Sequence, residues 1–240
     1  MTEEPYRWLE AISNRREYIR DQLKSGTPVF ALSRIEGVLL IGVGQKQSKI
    51  FEIYDRHAFA ALGHPVDIEK VRQAAIEAAH LEGFNRSAKD VTLRRLISFS
   101  LSGMLKNAFE QVFSPPLIVE SIFAELGDKP EQDHLVRVHY DGDHYYETSG
   151  VLIAHRDAQA EREAAEWIRK QLGQGDALKR VVGICLAAWQ GLVDNKPFGD
   201  LPAPGELKVQ IEGKSVEVAL LDRKLPGPVY YRTLDLQSAA

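Results

Sequence analysis

The stretch KSGTPVFALSRIEGVLLIGV, residues 24–43, sets a Gly-Thr step directly before an apolar run. A threonine whose own amine is freed joins a nucleophilic hydroxyl to a base, so Thr27 is a candidate for hydrolytic chemistry. The other reading is a polar residue at the point where a strand begins. His139, Asp141, Asp143 and His144 fall within the six residues HYDGDH and are metal-ligating types. A hairpin turn explains the Asp-Gly step more directly, and strand alternation would scatter the ligands, so no metal is expected. Cys185 is the single cysteine, which excludes an internal disulfide. Its surroundings, VVGICLAAW, read as core rather than as a reactive thiol. The GVGQ of residues 42–45 lacks the strand-glycine-helix context of a phosphate loop. No cofactor is expected.

These residues need elements to position them. Leu9, Ile12, Ile19 and Leu23 follow a three-four spacing, which predicts a helix over 4–24 with one narrow apolar seam. Pro5 suits its first turn, and Gly26 and Pro28 stop it. Residues 29–33 and 38–43 read as a hairpin, followed by a second strand pair in KIFEIY and HAFAAL. A helix over 65–84 ends at Gly83, and another over 91–113 takes Asp90 as its N-cap. LIVESIFAEL, HLVRVHYDGDHYYET and GVLIAH supply further strands, with Asp141-Gly142 as a turn. Helices follow over 157–172 and 176–192, then the loop DNKPFGDLPAPGE. LKVQIEG with KSVEVALLD makes a closing hairpin, and VYYRT a short last strand. Hairpins imply antiparallel sheets, and helices in separate pairs can cover their outer faces. The expected fold is α+β, a four-layer α-β-β-α sandwich over 26–240 as one domain, with an added N-terminal helix over 1–25.

The 240 residues are 44% hydrophobic and 27% charged, with a net charge of -4, as in an ordinary globular protein. That balance gives no general reason to expect nucleic acid as a partner. Arg15-Arg16 and Arg94-Arg95 read as solvated or ion-paired. No run approaches the about 18 apolar residues of a membrane span. The acidic, then amphipathic start does not look like a secretory signal, so a cytoplasmic location is expected.

The order of elements, with GTPVFALSRIEGVLLIGV, EIYDRHAFAALG, DVTLRRLISFSLSGML, LVRVHYDG and SVEVALLDR, resembles proteasome subunits. The resemblance is greatest to the α-type subunits of bacterial proteasomes and covers nearly all of the chain. It implies the N-terminal-nucleophile hydrolase fold. In β-type relatives a threonine freed at a Gly-Thr bond attacks the substrate, a lysine eases its deprotonation, and a carboxylate orients the lysine. Thr27 matches that threonine and Lys49 that lysine. The position matching the carboxylate holds Val43, and Pro28 restricts the nucleophile's backbone. The resemblance therefore implies a non-catalytic α-type subunit. The alternative is an active threonine hydrolase, released at Gly26-Thr27 and using Thr27 and Lys49.

An α-type identity implies self-association into a seven-membered ring that caps proteolytic β-type subunits, limits substrate access and docks a ring-shaped ATPase. Lys49 would meet the C-terminal carboxylate of that activator, and Gly63 would let the tail approach. A merely exposed lysine and a turn glycine are the competing readings. The seam Leu9, Ile12, Ile19 and Leu23 would pack on a ring neighbour, or else within its own subunit. Tyr54-Asp55-Arg56 lies between core strands, so no gate role transfers to it, and residues 1–4 make a short arm with which to close a pore.

Overall fold

The computed structural model describes residues 4–45, 47–173, 175–198 and 213–235. Residues 1–3, most of LKVQIEG and the tail beyond 235 lie outside them. One sheet runs in the order β10 (Tyr231–Thr233), β9 (Ser215–Asp222), β2 (Gly37–Gly44), β1 (Val29–Arg34), β8 (Val151–Ala154). The other runs β3 (Ile50–Tyr54), β4 (His57–Gly63), β5 (Val119–Glu125), β6 (His134–Val138), β7 (His144–Glu147). All neighbouring strands are antiparallel.

Period-two alternation sorts each strand between two layers. Val29, Ala31, Val38 and Leu40 of the first sheet share a core with Ala58, Ala60, Leu62, Ile122 and Ala124 of the second. The intervening Phe30, Leu32, Leu39, Ile41 and Val43 turn outward onto α5 (Ala158–Gln171) and α6 (Leu178–Asp194), where Ala164, Ile168 and Trp189 are buried. Phe59, Ala61, Val119 and Phe123 turn the opposite way, onto α2 (Pro65–Asn85) and the helical stretch from Leu93 to Glu110. The result is the α-β-β-α sandwich. Each fully buried large aliphatic or aromatic side chain contributes about 1.5–3 kcal/mol, and Cys185 is one of the buried residues of the α6 layer.

The stretch after Asp90 departs from expectation. Ala88–Asp90 is a 3-10 turn, and the helix begins at α3 (Leu93–Leu96), passes through a π-helical turn over Ile97–Leu101, and ends with α4 (Ser102–Glu110). Asp90 is therefore not the cap. The Glu125 carboxylate of β5 takes that role by accepting the Leu93 N–H at 2.8 Å. A long-range buried carboxylate outcompetes the local one, and Arg56 lies 3.4 Å from its other oxygen. At α5 the local signal holds, with Asp157 accepting the N–H groups of Gln159 and Ala160 at 2.8 and 3.2 Å.

The helix α1 (Glu4–Leu23) is docked on the sandwich. Ile19 and Leu23 are buried in the inter-sheet core, and Ile12 packs against it. Arg15 donates to the Ala108 carbonyl at 2.8 Å, and the Arg16 guanidinium stands 5.5 Å from the Phe109 ring centre. Arg156 ties the helix end down by donating to the Lys24 carbonyl at 2.6 Å. Two polar links join the sheets elsewhere. Asp133, before β6, pairs with Arg223, after β9, at 2.9 Å, and accepts the Ser33 hydroxyl of β1 at 2.6 Å. Arg137 of β6 donates to the His155 carbonyl just after β8 at 3.1 Å, and also reaches Glu161 of α5 at 2.9 Å and Glu120 of β5 at 2.8 Å. No helix among the described residues is long and apolar enough to cross a membrane.

Candidate functional site

Thr27 and Lys49 come together where the chain enters β1. Lys49, just before β3, donates from Nζ to the Thr27 carbonyl at 3.0 Å and also to the Thr27 hydroxyl. That hydroxyl donates its own proton to the Val43 carbonyl at 2.5 Å. Burial pulls the Lys49 ammonium down to about 8; Glu217 resists the fall and Lys214 adds to it. The Glu217 carboxylate holds the preceding loop, accepting the Lys49 backbone N–H at 2.8 Å and the Ser48 hydroxyl at 3.0 Å.

This arrangement is unsuited to attack by Thr27. Its hydroxyl proton is committed to the Val43 carbonyl, which cannot carry it away. Among the described residues no carboxylate lies within ion-pairing distance of the Lys49 ammonium. The Val43 side chain does not face the lysine, because strand alternation turns it into the α5–α6 layer. The β2 residues beside Lys49 are instead Gly42 and Gly44, where an added Cβ would stand 3.5 Å from Lys49 Cβ and 3.6 Å from Lys49 Cε. The missing charge is thus a gap of two glycines as much as an aliphatic replacement.

Lys49 and Gly63 line one groove of about 500 Å3, with Gln47, Phe51, Ile68 and Glu69 among its walls. Gly63 has φ 135°, and a Cβ there would sit 2.1 Å from the Ile118 carbonyl oxygen, so the backbone alone requires a glycine. The apolar seam of α1 divides along its length. Ile19 and Leu23 serve the chain's own core and are closed to a neighbour, whereas Leu9 is 64% exposed. Trp8 and Tyr18, which the spacing did not single out, are also exposed on α1.

The HYDGDH residues go to separate partners. His139 donates to Glu120 at 2.8 Å, while His144 bonds the Ser102 hydroxyl at 2.9 Å. Among the described residues no cluster of three or more His, Cys, Asp or Glu is placed to hold a metal. Burial pushes the Cys185 thiol far up, against ionisation. Sequence reasoning missed the buried cluster of Arg137, Glu120, Glu161 and His139. Its signal was present: Arg137 shares the inward parity of Leu135, and Glu120 that of Ile122 and Ala124.

Two antiparallel sheets stacked between helix layers, with a threonine and a lysine meeting at the first strand, define a sandwich of the N-terminal-nucleophile hydrolase type. A scan against protein-family profiles finds no match. The chain is 31% identical over 217 residues to the proteasome subunit alpha of Renibacterium salmoninarum, covering 89% of this chain and 82% of that one. It is 32% identical over 225 residues to that of Xylanimonas cellulosilytica, covering 93% and 88%. To that of Arthrobacter sp. strain FB24 it is 31% identical over 217 residues, covering 89% and 84%. The chain belongs to the proteasome α-subunit family. That membership places it with the non-catalytic, structural subunits of a protein-degrading machine.

Proposed function

We propose that this chain forms, with copies of itself, the seven-membered outer ring of a cytoplasmic proteasome. The ring stacks on β-type subunits that carry the proteolytic threonines, restricts access of substrates to the chamber, and receives a ring-shaped ATPase. The sandwich of 26–240 acts as one domain and α1 as its added element. The single observation that carries the reading is the state of Thr27: its hydroxyl is bonded to a backbone carbonyl beside a lysine that has no carboxylate partner among the described residues. A fold that holds the nucleophile's position in this way serves assembly rather than hydrolysis.

The groove supports the docking part of the proposal. Lys49 supplies a cation at one end, and Phe51 and Ile68 supply apolar walls, which suits a peptide tail ending in a free carboxylate. The exposed Leu9 and Trp8 of α1 are the surface offered to a ring neighbour, since a heterologous contact needs a patch not used by the subunit itself. Co-expression with a β-type subunit, followed by native mass measurement, tests the reading. A stacked-ring assembly is expected; a monomer that ignores the β-type subunit overturns it.

A further inference from the structure

The groove's lysine is already engaged. A lysine ammonium has three N–H donors, and Thr27 takes two of them, one through its carbonyl at 3.0 Å and one through its hydroxyl. The hydroxyl is fixed as an acceptor because its proton goes to the Val43 carbonyl. Pro28 fixes the backbone too, since a residue before proline is held in the extended region. The stem of Lys49 lies over Gly42 and Gly44, where no side chain displaces it.

Other charges do not decide where the ammonium points. Glu217 of β9 attracts the ammonium only from beyond ion-pairing distance, one of its oxygens accepting the Lys49 N–H and the Ser48 hydroxyl, and Lys214, just before β9, opposes it in sign. Glu69, on the α2 wall, is paired with Arg72 at 2.7 Å. Thr27 is therefore the group that holds the ammonium inward.

We propose that Thr27 is a positioning residue that sets how strongly this groove takes a carboxylate: it restrains the Lys49 ammonium, and an incoming carboxylate must compete with it. This rests on the reading of the groove as the receiver of a peptide tail. Removing the hydroxyl lifts one of the two restraints, so Thr27→Val tightens carboxylate binding about fivefold, equivalent to about 1 kcal/mol.

The test uses the 240-residue chain and a fluorescein-labelled hexapeptide ending in leucine, tyrosine and alanine, with a free or an amidated C-terminus. Anisotropy gives Kd for the wild type, Thr27→Val, Thr27→Ser and Lys49→Ala. Separately, lysine Cε labelled with carbon-13 reports the Lys49 titration with no peptide present. The expected result is preference for the free acid, tighter binding of the acid alone by Thr27→Val, and wild-type behaviour for Thr27→Ser. The Thr27→Val chain also moves the Lys49 midpoint further down from about 8, because the ammonium loses an acceptor that the neutral amine does not need. A midpoint that stays or rises overturns the hold of Thr27 on Lys49, whatever the peptide does. Equal binding of acid and amide by the wild type overturns the tail reading and the affinity claim with it, so the two failures are distinguishable. If Thr27→Val does not fold, Thr27→Ala removes the same hydroxyl and is read the same way.

Discussion

Replacing Arg137 by methionine removes the cation from a buried cluster and leaves its carboxylates behind. The guanidinium is 1% exposed and sits 2.8 Å from Glu120, 2.9 Å from Glu161 and 3.1 Å from the His155 carbonyl. Breaking a buried pair by deleting one partner costs about 3–5 kcal/mol, chiefly because the orphaned charge stays desolvated. Each kcal/mol lowers Tm by about 2–4 °C in a domain of this size, so a fall of about 6–20 °C is expected. Urea unfolding followed by circular dichroism at about pH 7.5 measures the loss directly. Burial pushes the Glu161 carboxyl up while Arg137 pulls it back, and the net shift is upward. Without Arg137 that carboxyl takes a proton more readily, so the deficit shrinks on acidification to about pH 5.5. Adding Glu120→Gln and Glu161→Gln recovers most of the loss, because an uncharged trio has no orphaned ion. A loss below about 1 kcal/mol, or one independent of pH, refutes the reasoning.

The same cluster gives the wild type a pH dependence. Burial is the largest influence on His139 and pulls it down, but the hydrogen bond and charge of Glu120 outweigh it, and its pKa is raised. A raised histidine contributes stability that is complete below its unfolded pKa of about 6.5 and is lost as pH rises through the folded value. Thermal scans across that window should show an alkaline decline that His139→Gln flattens; an unchanged slope contradicts the assignment. At the groove, Gly63→Ala forces a Cβ toward the Ile118 carbonyl oxygen and strains a φ of 135°. A loss of about 1–3 kcal/mol in urea unfolding is expected, and a neutral substitution would show that the loop yields.

Elements with strong local periodicity were legible in the sequence. Hairpins around Gly37 and Gly142 and the amphipathic α1 follow from side-chain alternation and turn chemistry alone. The cap of α3 was not, because Glu125 reaches Leu93 from another strand and no local spacing announces it. The same holds for the seam of α1: its periodicity marks Ile19 and Leu23 as apolar, yet only the packing shows that they fill the chain's own core while Leu9 stays outside. At the site, the pairing of Thr27 with Lys49 was readable through resemblance, whereas the roles of Glu217 and of the Thr27 carbonyl depend on β9 folding back beside β2.

The central claim is that Thr27 is a structural residue in a non-proteolytic subunit. Intact-mass and peptidase measurements on the co-purified assembly with a β-type subunit test it most directly. The account predicts that this chain keeps the residues ahead of Thr27 and that Thr27→Ala leaves peptide hydrolysis unchanged. Loss of the first 26 residues, with hydrolysis abolished by Thr27→Ala, would contradict it.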